Sequence, residues 1–455
     1  MTDAFERAYA QPLLDEDPVT PPAPAACPGP MGVAPGEAFA LHGTVLTPDA
    51  AIPAGYVVVD GSTINAVQTT KPAGVKIVET EGIILPGLID LHGHPEYNIF
   101  AAWEPPKQYK NRGGWRASAE YAAIVKAPLN TLKQPPTLEK TLSRYAEARA
   151  MTGGTTAIQG TNGKFATIEE ALVRNVDRRI FGQHKARSII DLGRTQPADL
   201  AKLRTQITSG DVNAVYIHLA EGTDQTSRKE FDALVAANML TPATIIIHGT
   251  ALTTAELDEV TDAGAKLVWS PQSNLRLYGK TTLAGEAIAR GIPVGLGADW
   301  LPSGSPSLLA ELKIARQSLV EEGHPATARQ LVRMVTSVAA AIAALDGQLG
   351  LLAAGRPADI LVLRRLHPDP WESVVLSMPG DIELVTINGD LAYGRADWIG
   401  QLAPAGQAEP IIAWGKRMLV DTSYSVKTPA TPAPRLADLR ADLIARYPQV
   451  GPIFA

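Results

Sequence analysis

Leu85-Pro-Gly-Leu-Ile-Asp-Leu-His92-Gly-His94-Pro is the stretch on which the reading of this chain turns. An apolar run closed by two histidines one residue apart is a strand whose period of two sends both imidazoles off the same face, where they can grip one ion. That spacing is common by chance, so its weight depends on its company. Outward from it, strand-like runs end at Gln159, His218, His248, Ser270 and Asp299. Across residues 84–354 such runs alternate with helical segments, the grammar of βα units around a largely parallel sheet. Thr253-Thr-Ala-Glu256, for example, is a capping box before a helix that ends at Gly264 and the strand Lys266-Leu-Val-Trp-Ser270. Polar residues of interest close strands almost everywhere. A (β/α)8 TIM barrel gathers those strand ends at one mouth.

Flanking segments read differently. Residues 1–36 hold eight prolines and are expected to form an extended arm. Residues 37–83 carry short β-branched runs with an Asp60-Gly61 hairpin signal, and the same grammar returns over residues 355–405, where Asn388-Gly389 is a hairpin turn. A small β-sandwich built from both chain ends is the expectation. Residues 406–455 are expected to be a helical extension, with Leu436, Leu439, Leu443 and Tyr447 at helical spacing.

Composition narrows the function. With 455 residues, 45% hydrophobic and 19% charged, the chain is an ordinary globular protein with room for a barrel and a module. A net charge of −6 without a block of like charges leaves no footprint for nucleic acid or anionic lipid, so the partner is expected to be a small molecule. No apolar run approaches the length of a membrane span and no leader pattern opens the chain, so a cytoplasmic location is expected. Cys27 is the single cysteine, which excludes an internal disulfide and four-cysteine zinc frameworks. Any metal must use histidine and carboxylate.

Leu-Pro-Gly-Leu-Ile-Asp-Leu-His-Gly-His resembles the first barrel strand of the amidohydrolase superfamily. His218-Leu-Ala-Glu221 resembles the His-x-x-Glu of its cytosine deaminase, chlorohydrolase and S-adenosylhomocysteine deaminase branch. His248 after Thr-Ile-Ile-Ile, Ser273-Asn274, Asp299 after Val-Gly-Leu-Gly-Ala, and Gly355-Arg-Pro-Ala-Asp follow in the family's order. The resemblance implies a metal-dependent hydrolase, foremost one that deaminates an aminated heterocycle with metal-activated water. Hydrolysis of an amide, a cyclic imide or a ring carbon-halogen bond is the alternative, and an inactive scaffold a remote one. It implies one divalent ion, zinc or else iron, on His92, His94, His218 and Asp299. Three neutral imidazoles and a carboxylate independently suit such an ion.

By the same resemblance Glu221 shuttles protons, His248 polarises the attacked group and Asp299 takes a proton from water. Tyr97 and Trp103 in the loop after the first strand, Gln159, Ser273 and Asn274 are expected at the substrate. His42, His184, His324 and His367 lack such context. A homo-oligomer is expected by analogy with barrels that carry such modules. Two features depart from the family. No strand ends in a lysine to bridge two ions, Lys185 being the near candidate, so one ion is expected. Between Gln159 and His218 one strand is evident, around Ala186-Asp191, where the barrel needs two; Arg179-Gly182 is the place expected for the other.

Overall fold

The structure, a computed structural model, describes residues 38–160, 171–178, 180–402, 408–422 and 435–453. The Pro-rich arm expected over residues 1–36 lies outside them.

Strands from both chain ends join in one nine-stranded sheet. The earlier part supplies Phe39–Leu46, Ala51–Asp60, Thr63–Gln68 and Lys76–Pro86. The later part supplies Ile360–Leu363, Ile382–Ile387, Asp390–Gly394, Glu409–Ala413 and Lys416–Val420. The halves meet where Lys76–Pro86 pairs antiparallel with Ile360–Leu363, in the register Ile84↔Val362. Asn388 and Gly389 both take positive φ, 56° and 84°, which matches the right-handed twist of the hairpin they close. Alternation puts Leu41, Val57, Val59, Ile360 and Val362 into one apolar cluster, while Ala40, Tyr56 and Val58 pack on the other face.

The helical extension expected over residues 406–455 needs correction. Residues Glu409–Ala413 and Lys416–Val420 form a hairpin that extends the sheet, and the helix runs over Leu436–Arg446. That helix buries Leu436, Leu439 and Leu443, and Tyr447 meets Phe100 edge-on at 5.8 Å.

Through Gly87 the strand Lys76–Pro86 leads into β1 (Leu88–Asp90), the first of eight barrel strands. With β2 (Thr155–Ile158) and β3 (Arg174–Asn175) it forms a parallel three-stranded sheet. A parallel five-stranded sheet follows in chain order: β4 (Ala186–Ile189), β5 (Ala214–Leu219), β6 (Thr244–His248), β7 (Lys266–Trp269) and β8 (Val294–Leu296). Beyond β8, Asp299 N–H donates to His92 O at 2.7 Å and His94 N–H to Asp299 O at 3.1 Å, which joins the last strand to the first.

Between β3 and β4 the described residues show no ladder. Side chains span that gap instead, as Gln159 Nε2 donates to Asp177 Oδ2 at 3.2 Å and to Ser188 Oγ at 3.1 Å. β5 shows why the strands read as apolar runs. Ala214 and Tyr216 pack in one cluster with Ile245, Ile247 and Val268, while Val215, Ile217 and Leu219 pack in another with Leu257, Leu312 and other helix residues.

The strand absent from the sequence reading is β3, upstream of Arg179-Gly182. It has two residues, one of them an arginine. Arg174 is buried because Asp359, just before Ile360–Leu363, accepts its Nε at 2.6 Å and its Nη2 at 2.9 Å. An ion pair here replaces apolar content, and it ties the barrel to the nine-stranded sheet.

Candidate metal centre and cavity

Four side-chain atoms converge at the carboxyl ends of β1, β5 and β8. His92 Nε2 lies 3.3 Å from His94 Nε2 and 3.1 Å from His218 Nε2, and His218 Nε2 lies 3.4 Å from His94 Nε2. Asp299 Oδ1 is 3.4 Å from His92 Nε2 and 3.6 Å from His94 Nε2. Zinc bonds of about 2.0–2.1 Å to nitrogen place tetrahedral donor atoms roughly 3.3–3.4 Å apart, so the five spacings fit the edges of one such shell.

Charge fits as well. Burial holds His92 and His218 well below the ordinary imidazole value and His94 at about 4, each helped by neighbouring imidazoles, so all three offer lone pairs. Burial also holds the Asp299 carboxyl well above its ordinary value, against the pull of its hydrogen bond from Ser273. Neutral imidazoles around a carboxylate that burial disfavours as an anion form a set completed by a cation.

Neighbouring groups orient these donors. His92 Nδ1 pairs with Ser270 Oγ at 2.8 Å, which turns the Nε2 lone pair to the cluster. Ser273 Oγ donates to Asp299 Oδ2 at 2.6 Å, leaving Oδ1 toward the histidines. Ala220, His248 and Asp299 carry positive φ of 53°, 71° and 60°, left-handed backbone that turns site residues out of their strands.

His248, whose imidazole burial holds low, stands beside the four donors with its ring centroid 4.7 Å from that of His92. Asn274 Nδ2 donates to its Nδ1 at 3.0 Å, so Nε2 is the nitrogen that carries hydrogen, and it lies 3.7 Å from Glu221 Oε2. Glu221 is buried; Tyr278 Oη donates to its Oε1 at 2.6 Å, and Arg112 Nη1 lies 3.7 Å from Oε2.

A cavity of about 220 Å³ opens on this cluster, lined among others by His94, Tyr97, Trp115, Tyr121, His218, Glu221, His248, Asp299 and Trp300. Of the five side chains expected at the substrate, Tyr97 alone lines it. Trp103 is buried against Tyr109 and Tyr121. Gln159 lies behind the His92-His94 turn, its carbonyl accepting from Gly93 N–H at 3.1 Å. Ser273 and Asn274 act on Asp299 and His248. Tyr121, Tyr278 and Trp300 were not foreseen. Trp300 had a signal, since it follows Asp299 directly at the strand end.

The remaining histidines have local partners: His42 stacks on Tyr56 at 4.2 Å, and His324 meets Glu286 at 3.3 Å. Lys185 precedes β4, at the end away from the cluster, and both three-residue metal groupings among the described residues share His92.

Residues 208–392 match the amidohydrolase family, to which the chain is similar also in the order of the cluster along the barrel strands. Among its relatives, the chain is 23% identical over 425 residues to 5'-deoxyadenosine deaminase of Methanothermobacter thermautotrophicus, spanning 82% of this chain and 99% of that protein. It is 25% identical over 365 residues to 5-methylthioadenosine/S-adenosylhomocysteine deaminase of Desulforudis audaxviator, spanning 72% and 83%. In fold it is similar to atrazine chlorohydrolase from Arthrobacter aurescens complexed with zinc, with TM-score 0.64, 18% identity and coverage of 91% and 100%. The architecture is therefore TIM-barrel-type α/β. No helix among the described residues is long and apolar enough to cross a membrane.

Proposed function

We propose that this chain hydrolytically deaminates an aminated heterocycle, an adenine nucleoside or a close analogue, with one divalent ion, zinc before iron, held by His92, His94, His218 and Asp299. The observation that carries this reading is the four-atom cluster with its 3.1–3.6 Å spacings, set against Glu221 and His248 in one cavity. Alignment along 99% of a 5'-deoxyadenosine deaminase favours deamination over amide or carbon-halogen hydrolysis. A lone Cys27 suits the reducing cytoplasm.

When bound, the ion would lower the pKa of a coordinated water toward about 7. The chain's own groups do the rest. Tyr97, Trp115, Tyr121 and Trp300 offer ring faces and edges to a flat heterocycle, with Trp115 and Trp300 centroids 5.3 Å apart. Asp299 Oδ1 faces the cluster and accepts the proton that the attacking water gives up. Glu221 delivers a proton to the ring nitrogen, and the proton taken from the water, passed on to Glu221, then goes to the departing amine. His248, with its hydrogen on Nε2, donates to the group at the attacked carbon.

Ammonia release from adenosine, 5'-deoxyadenosine, methylthioadenosine, S-adenosylhomocysteine, guanine and melamine tests the reading. Turnover of at least one adenine nucleoside, abolished by a chelator and restored by Zn²⁺, is the expected result. Silence across the panel from protein that holds one ion per chain rejects it.

A further inference from the structure

One helical turn in the loop after β1, Arg112–Arg116, makes three separate contacts with Glu221. Its backbone comes first: Arg112 N–H donates to Glu221 O at 3.2 Å, beside an antiparallel bridge between Asn111 and Gly222 and a Thr223 N–H to Lys110 O bond of 2.7 Å. Gly222, at φ +151°, admits this approach, since a Cβ there would sit 2.5 Å from Lys110 O. The Arg112 guanidinium comes second, 3.7 Å from Glu221 Oε2 and anchored on Ile190 O at 2.8 Å. The third contact is indirect. Trp115 Nε1 donates to Tyr278 Oη at 2.8 Å, and Tyr278 Oη donates to Glu221 Oε1 at 2.6 Å.

The third contact has a fixed polarity. An indole N–H donates and never accepts, so the Tyr278 oxygen is the acceptor in that pair and its own hydrogen is free to point onward to Glu221. Oε1 is thereby occupied as an acceptor. A proton carried by Glu221 must ride on Oε2, the oxygen that lies 3.7 Å from His248 Nε2. Trp115, Tyr278 and Glu221 are all buried, which keeps water from substituting for a missing member.

We propose that Trp115 and Tyr278 are positioning residues that dictate the oxygen of Glu221 on which the shuttled proton travels, so that docking of the Arg112–Arg116 turn completes the acid-base group. This rests on the reading of Glu221 as the proton shuttle. In the step concerned, the Oε2 proton passes to the amino nitrogen, the carbon-nitrogen bond breaks, ammonia departs and Glu221 is left as the carboxylate.

The test is steady-state kinetics of the metal-loaded enzyme, with adenosine as the amine substrate and 6-chloropurine riboside, whose chloride departs without a proton, as the comparison. Tyr278→Phe is expected to lower kcat on adenosine about 10- to 100-fold with KM within about twofold, and to lower it distinctly less on the chloro substrate. Trp115→Phe, which keeps the ring and loses the donor, is expected to follow with a smaller loss. In a Glu221→Gln background, Tyr278→Phe is expected to add no further loss on the chloro substrate beyond about twofold. Losses that multiply with Glu221→Gln, or that appear in KM alone, in variants that keep one ion per chain, overturn the inference and leave the proposed function standing. A Glu221→Gln enzyme with undiminished kcat removes the shuttle itself and the inference with it.

Discussion

Two hairpin turns of the nine-stranded sheet carry left-handed backbone, on Asn388 and Gly389 and again on Trp414 and Gly415. At the barrel mouth it falls on Ala220, His248 and Asp299, at the ends of strands that carry the site. The first region uses an uncommon conformation to reverse the chain. The second uses it to aim polar side chains into one cavity, and surrounds them with other groups out of water: Asp90, Glu221, Ser270, Ser273 and Glu311. Strain that closes a hairpin serves stability, while strain that gathers imidazoles and carboxylates out of water has to be offset by what the cluster binds or does.

Substitutions in the two regions should therefore separate activity from stability. The largest effect is expected at Glu221: Glu221→Gln should lower kcat by about 10²- to 10⁴-fold while metal content and thermal midpoint stay near wild type, as steady-state assay, elemental analysis and calorimetry would show. An equal fall in thermal midpoint would erase the contrast.

The reverse pattern is expected at the joint between the regions. Asp359→Asn removes the carboxylate that pairs with the buried Arg174 guanidinium, and urea unfolding should report a loss of about 3–5 kcal/mol with the ratio of metal to folded protein unchanged.

Between these extremes lies Ser270→Ala. It removes the partner of His92 Nδ1 and should weaken metal affinity by about 10- to 100-fold in a chelator competition, with little change in unfolding of the metal-free chain.

The smallest expected effect concerns pH. Burial raises the Glu147 carboxyl to about 7 despite hydrogen bonds from Leu172 N–H and Asn175 Nδ2. Its folded-state value lies above its unfolded one of 4.5, so the stability linked to it is present below pH 4.5 and is lost as pH rises toward 7. Glu147→Gln should flatten that decline, and urea midpoints for both proteins at pH 4.5, 6 and 8 would reveal a parallel decline if the assignment is wrong.

How much of this was legible follows from whether a feature is local. His92, His94, His218, His248 and Asp299 close apolar strands, so a period of two and a run of Ile or Val places each at a barrel mouth before any contact is known. Asn388-Gly389 announces its own turn. β3 was hidden because its burial depends on Asp359, far along the chain. The hairpin Glu409–Val420 was hidden because its turn is Trp414-Gly415 in place of an Asn-Gly pair and Pro410 stands in its first strand. The link from Trp115 through Tyr278 to Glu221 gave no sign, since it is made by contacts between separate loops and helices. Ser273 and Asn274 were legible as residues of the site, but it takes the hydrogen bonds to Asp299 and His248 to show that they act on those groups, away from the cavity lining.

The central claim is that one ion is held where His92, His94, His218 and Asp299 converge. Elemental analysis of the purified chain beside His92→Ala tests it most directly. About one divalent equivalent per wild-type chain, lost together with activity in a variant that remains folded, is the predicted result. A full equivalent and full activity retained by His92→Ala would contradict it.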